Sequence, residues 1–328
     1  MQYFPYNNKV TCDNGRFSNS VLAKKESYRV HLLALGDVGS TLAMGLRLLG
    51  GDVISALGIC DVREGVPQRW EFELNQITGP GEGRFPTVEI VDTDHILDCD
   101  VFLFCASRFV PDTAVKSGDV RMAQYELNRP LVTSYARMAR EKGYKGMFCV
   151  VSDPVDQLCR AALLESNRDE DGNPDGRGLS VNQVRGLGLG VMNARARYYA
   201  GKDPRFAAYL SDGRAYGPHG EGLVIANSIS KYDEKLSDEL TELTKRANLQ
   251  MRELGYKPYA APALSSGALS LLACLRGEWH YSSVFLDGVF FGIRNRLTED
   301  GCEMERLELP EALTGRLKRT IEDLKRIE

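Results

Sequence analysis

Residues Arg29 to Gly39 read Arg-Val-His-Leu-Leu-Ala-Leu-Gly-Asp-Val-Gly, and the rest of the chain is arranged around them. An apolar-rich run, Val30 to Leu35, enters a glycine turn, Gly36-Asp-Val-Gly39, and a helix-like stretch, Ser40 to Leu49, follows. A strand that opens through a glycine turn into a helix is a seat for a nucleotide pyrophosphate. The glycines let the backbone come close, and the free N–H groups at the helix start attract negative charge. A second apolar run, Val53 to Cys60, ends on Asp61, twenty-two residues past Gly39. An acid there can hydrogen-bond a ribose 2′-OH and repels a 2′-phosphate, which favours NAD over NADP. Arg63 works against that preference. The usual G-x-G-x-x-G spacing has glycine where Ala34 stands here.

Outward from this segment, 328 residues are too many for one small core, so two domains are expected. Apolar content of 43% and charged content of 26% fit a soluble globular enzyme. A net charge of −4 does not suggest a nucleic-acid partner. No apolar run is long enough to span a membrane, and the N-terminus lacks a charged-then-apolar signal pattern. The eight cysteines are scattered without C-x-x-C spacing. They read as buried thiols of a reducing compartment, the cytoplasm, and not as bridges or metal ligands; no metal site is expected.

Residues 1–27 form an irregular arm, read either as a disordered tail or as an arm around a partner subunit. From residue 28, strands (Val30–Leu35, Val53–Cys60, Thr87–Val91, Val101–Cys105, Met147–Val151) alternate with helices. The clearest helix is Pro130–Lys142, with proline at its first position. Apolar strands alternating with helices imply a parallel sheet covered on both faces, with ligands at the carboxyl ends of its strands. The fold class is α/β: a doubly wound parallel-sheet NAD-binding (Rossmann) domain over 28–157, then an α+β substrate domain over 158–328. Within the second part, 166–182 is a polar surface loop, Ser228–Leu254 a long amphipathic segment and Ala263–Leu275 a small-residue helix. Two strands flank Asp287-Gly288 as a hairpin, and a capping helix starts near Pro310.

In this order the motifs resemble the L-lactate/L-malate dehydrogenase family, from about Arg29 to the C-terminus. Gly36, Asp37, Val38, Gly39 and Asp61 look like its NAD site. Val151-Ser-Asp-Pro-Val-Asp156 is similar to its V-[ST]-N-P-V-D segment. Asn128 falls where a nicotinamide-side Asn is expected, and Ala106 is counted with the cofactor residues. Tyr216-Gly-Pro-His-Gly-Glu221 resembles its G-E-H-G-D segment, which puts His219 on the catalytic histidine. Gly186, Gly188 and Ala194-Arg195 resemble its G-x-G-x-x-L-D-x-x-R segment, which gives Arg195 the substrate-carboxylate position. Arg121, seven residues before Asn128, has the spacing of the mobile-loop arginine. The resemblance implies hydride transfer between NAD and a small 2-hydroxy or 2-keto acid, in a homodimer or homotetramer. Such chemistry needs a histidine to give and retake a proton, an arginine fork on the carboxylate and a second arginine on the carbonyl.

Three departures stand out. The acid that should pair with the histidine falls at Met192, which cannot stabilise an imidazolium. The family's Asn before Pro-Val-Asp is Asp153, expected here as the relocated charge partner of His219. The segment from Ala106 to Arg121 is longer than the family's substrate loop. Within it Arg108 is a candidate ligand for the distal end of the substrate, and Lys257 falls near another pocket position; both read more simply as surface charges. Two rival readings follow: a nucleotide-binding derivative with lost or altered catalysis, and an NAD- and metal-dependent glycosidase with Cys159 and His219 drafted as ligands.

Overall fold

Along the strand Val101–Phe104, Val101 and Leu103 face one side and Phe102 and Phe104 the other, and all four are buried. Period-two alternation with both sides apolar can be satisfied only in a sheet covered on both faces. One apolar cluster joins Phe102, Phe104, Phe148 and Val150 to Val132, Ala136 and Leu158. The other joins Val101, Leu103, Leu32 and Ile59 to Leu42, Leu46 and Leu271.

The computed structural model describes residues 1–11, 17–18, 22, 24–81, 83–108 and 119–326, with the backbone alone for 119–121. In chain order, the first half holds β1 (Gln2–Phe4), β2 (Tyr28–Leu33), α1 (Asp37–Leu49), β3 (Ile54–Cys60), α2 (Val66–Asn75), β4 (Thr87–Ile90), β5 (Val101–Phe104), α3 (Asp119–Glu141), β6 (Met147–Val150) and α4 (Val155–Ser166). The second half holds β7 (Val184–Gly186), α5 (Leu189–Ala200), α6 (Tyr209–Asp212), β8 (Arg214–Tyr216), β9 (Val224–Ala226) and α7 (Glu234–Glu253). A π-helical turn, Pro262–Ala268, leads into α8 (Leu269–Arg276), followed by β10 (His280–Leu286), β11 (Val289–Thr298), β12 (Gly301–Met304), β13 (Leu307–Leu309) and α9 (Glu311–Arg326).

The central sheet runs β12-β11-β10-β7-β6-β5-β2-β3-β4. Its six strands from β7 to β4 are parallel, and β10, β11 and β12 join antiparallel at the β7 edge. The chain leaves β2 toward β3 and β4, then returns to the other side for β5, β6 and β7. The crevice at this reversal lies past the carboxyl ends of β2 and β5, where Gly36 and Ala106 follow their strands. The fold is thus the expected doubly wound α/β arrangement. The boundary set after residue 157 runs through one continuous sheet, because β7 supplies the sixth parallel strand.

Some elements differ from their sequence reading. The helix expected to start at Pro130 begins at Asp119, and Pro130 stands inside it. Its ring leaves the carbonyl of Glu126 without the usual helical donor. The helix expected from Ser228 starts at Glu234, because the Asp233 side chain accepts from the Leu236 N–H at 2.9 Å and caps it. The described part of the arm packs on its own chain: β1 pairs antiparallel with β13, and Val10 N–H donates to Cys302 O at 3.2 Å. Among the described residues, no helix is long and apolar enough to cross a membrane.

Candidate active site

The nucleotide corner is built by the backbone. Ala34, with φ of 75°, turns the chain out of β2 in a conformation that glycine adopts more cheaply. Gly39 is required by packing, since a Cβ there would lie 1.9 Å from the Ala34 carbonyl oxygen. Gly36 begins α1 with no side-chain cap, and a Cβ on it would meet nothing within 4 Å. An exposed cradle over a helix start, whose first N–H groups have no intrahelical acceptor, fits a pyrophosphate. Asp37 is exposed in this turn and pairs with Lys257 at 3.1 Å, while Val38 is half-buried. Lys257 is therefore an ion-pair partner of the glycine turn.

Asp61 sits at the end of β3 with its side chain only 3% exposed. Its Oδ2 accepts from the Leu35 N–H (2.7 Å) and Arg63 Nη2 (2.7 Å). Its Oδ1 accepts from the Arg63 backbone N–H (3.0 Å) and Nε (2.9 Å). Burial alone would push this carboxyl up, but the bonds from Arg63 and Leu35 hold it below the ordinary carboxylate range.

On the far side of the crevice, Asn128 ties two strand ends together. It is fully buried; its Oδ1 accepts from the Arg108 N–H at 2.9 Å, and its Nδ2 donates to Asp153 O at 2.9 Å. Ala106 O accepts from the Ser152 hydroxyl at 2.8 Å. The side chain of Arg108 is exposed. Arg121 lies in α3, and its side chain falls outside the described residues, as do residues 109–118.

His219 follows β8 on a tight turn, with φ of +88° at Gly217, whose N–H donates to Gly292 O at 2.9 Å. Its backbone N–H donates to the buried Asp156 carboxylate at 3.2 Å, and that carboxylate also accepts from the Ser283 hydroxyl. The ring Nδ1 lies 2.9 Å from the Gly188 carbonyl oxygen. A carbonyl can only accept, so Nδ1 carries the proton, and in the neutral ring Nε2 holds the lone pair. Gly188 is a glycine because a Cβ there would come within 3.0 Å of the histidine Cβ. The same carbonyl accepts from the Ser266 hydroxyl at 2.7 Å, and Ser266 Oγ in turn accepts from the Val191 N–H at 2.8 Å. This brace was invisible in the sequence, since a backbone carbonyl leaves no residue signature.

Gly188, Met192 and Arg195 follow at helical spacing along one face of α5. Met192 is 2% exposed, and Arg195 Nη1 approaches its sulfur at 3.8 Å. Arg195 is half-buried and Arg197 exposed, which agrees with reading Arg195 as the inward arginine. Burial lowers the Arg195 pKa, and the negative charge of Asp153 opposes that shift. The Asp153 charge is thus felt at Arg195, while the group at His219 Nδ1 is the Gly188 carbonyl. Cys159 is a core thiol on α4, its pKa raised by burial. A polar cleft of about 670 Å³, lined by Asn193, Arg197, Tyr209 and Trp279, opens on the opposite face of α5 and includes neither His219 nor Arg195.

No family model matches the chain. It is 28% identical over 213 residues to an L-lactate dehydrogenase of Treponema denticola, covering 64% of the chain and 61% of that enzyme. An L-lactate dehydrogenase of Bacillus velezensis is 25% identical over 324 residues, covering 91% of the chain and 96% of the enzyme. Among solved structures, the minor L-lactate dehydrogenase of Enterococcus mundtii superposes with a TM-score of 0.72 at 20% identity, over 93% of the chain and 100% of that structure. The malate dehydrogenase of Picrophilus torridus gives 0.71 at 16% identity, over 91% and 96%.

Proposed function

We propose, for a chain that belongs to the L-lactate/L-malate dehydrogenase family as a divergent member, that it transfers a hydride reversibly between NAD(H) and a small 2-hydroxy or 2-keto acid. The observation that carries this reading is His219 held by its Nδ1 on the Gly188 carbonyl (2.9 Å), at the start of the helix that bears Arg195. The nicotinamide, when bound, supplies or takes the hydride. His219 then gives the proton to the new hydroxyl from Nε2 and retakes it in the reverse direction. The Gly188 carbonyl fixes the tautomer, as a carboxylate would, but adds no full charge, so the imidazolium is less favoured than with an acid partner. Arg195 binds the substrate carboxylate as a fork. Asp153 screens that arginine and tunes its affinity for anions. Arg121 polarises the carbonyl. Gly36 to Gly39 hold the pyrophosphate, Arg63, held by Asp61, meets the adenosine ribose, and Asn128 with Ala106 shapes the nicotinamide end. The same family reading carries self-association as a homodimer or homotetramer, and a cytoplasmic location.

The test is NADH oxidation, followed by absorbance, against 2-keto acids with varied distal groups. At least one acid is turned over, and His219→Ala lowers kcat/KM by about 10²–10⁴-fold, the usual worth of a general acid. Met192 in the acid position favours a second reading, a nucleotide-binding protein without turnover. NADH bound with no acid reduced selects that reading.

A further inference from the structure

The acid at the end of the second strand is read as a device against a ribose 2′-phosphate. That device needs free lone pairs for the 2′-OH and an unscreened charge for repulsion. Asp61 has neither. Its four hydrogen bonds, from Leu35 N–H and from Arg63 N–H, Nε and Nη2, fill roughly the four acceptor positions of a carboxylate. Its side chain is 3% exposed, while that of Arg63 is 58% exposed. What the corner presents to a ligand is the guanidinium. Nη1 of Arg63 has no partner among the described residues, and it points no bond back to Asp61.

The surrounding charges agree. Asp37, the other acid of the turn, is matched by Lys257 at 3.1 Å. Glu64 is exposed and makes no ion pair among the described residues, and solvent screens its field. A phosphate monoester prefers a planar fork of N–H donors to any other side chain.

We propose that Arg63 accepts a ribose 2′-phosphate, so that NADP(H) binds this chain at least within about tenfold of NAD(H). The inference rests on the dinucleotide-binding part of the proposed function, and it concerns Arg63 as the specificity-determining residue of that site. Asp61 is the positioning residue that holds the guanidinium out.

The experiment is fluorescence titration of the full chain with NADH and with NADPH, at low and at moderate salt. The expected result is a ratio of dissociation constants under about tenfold, with the NADPH constant rising more steeply with salt. Arg63→Ala is expected to weaken NADPH by about tenfold or more, the worth of a charge-assisted bond. The same change tightens NADH a few-fold, because Asp61 regains its lone pairs. Arg63→Lys, which keeps the charge but loses the fork, gives an intermediate NADPH constant and guards against loss of folding in the alanine variant. A chain that binds NADH but holds NADPH more than about tenfold more weakly overturns the inference and leaves the dinucleotide reading standing. An equal loss of both ligands in Arg63→Ala also overturns it, since Arg63 then only supports Asp61. Binding of neither dinucleotide by the unaltered chain refutes the dinucleotide reading itself.

Discussion

The nucleotide corner and the histidine cluster are built in opposite ways. The corner comes from one crossover, β2 to α1 to β3, and its geometry is backbone geometry: a left-handed Ala34, a glycine pressed on a carbonyl, an acid bonded to the Leu35 N–H. The cluster is gathered from distant segments: Asp153 and Asp156 after β6, Gly188 to Arg195 on α5, His219 after β8, Ser266 in the π-helical turn and Ser283 on β10. The contrast concerns tolerance. A corner made of close backbone contacts admits few substitutions. A cluster made of converging hydrogen bonds can do without one acid, and here a carbonyl orients the histidine while Met192 lies buried beside Arg195.

The strongest way to break that contrast is Gly39→Ala. The added Cβ would sit 1.9 Å from the Ala34 carbonyl oxygen, so β2 and α1 must part. The expected cost is about 1–3 kcal/mol, the range for overpacking, with dinucleotide binding lost. Urea denaturation and NADH titration check it, and an unperturbed variant would show that the corner is looser than its contacts.

The two halves also carry a buried histidine each, and acid sharpens the comparison. His280 on β10 is buried and pushed down to about 3 by desolvation first and by the Arg185 charge second. His31 on β2 is likewise lowered by burial. Both fold neutral, while the unfolded chain takes up their protons below pH 6.5. Their stabilising contribution is therefore full above that pH and falls as pH drops toward the folded values. His280 alone predicts a slope of about 1.4 kcal/mol per pH unit between roughly pH 6 and 4. Denaturation curves of His280→Gln, measured against pH, should be flatter than those of the parent by about one proton.

The smallest effect is expected at Asp153→Asn. With the Asp153 charge felt at Arg195 and His219 Nδ1 on Gly188 O, removing the carboxylate leaves the arginine's charge to an anionic substrate. KM for a 2-keto acid should fall about threefold with kcat little changed, the scale of a screened charge pair near the surface. Abolished turnover would instead return Asp153 to the proton chemistry.

The sheet was legible because apolar runs such as Val101–Phe104 and Met147–Val150 can be buried only between two helical layers. The glycine turn and Asp61 were legible because their spacing is local. The start of α3 was not: Pro130 reads as a first helical position, yet the helix begins at Asp119 and runs through the proline. Lys257 reads most simply as a surface charge, and it is exposed; its partner was not legible, because only the folded chain brings residue 257 to Asp37.

The sequence by itself determined the layered α/β fold and the glycine turn after its first parallel strand, and it singled out the histidine and arginine proposed for the second half. These follow from periodicity and from side-chain chemistry at short spacing, which the chain encodes directly. Only the tertiary structure decided what holds His219 and what Asp61 still offers a ligand. Both depend on hydrogen-bond saturation. An acceptor's remaining capacity is set by which donors the fold brings to it, and a carbonyl such as that of Gly188 has the same chemistry at every position until folding aims it.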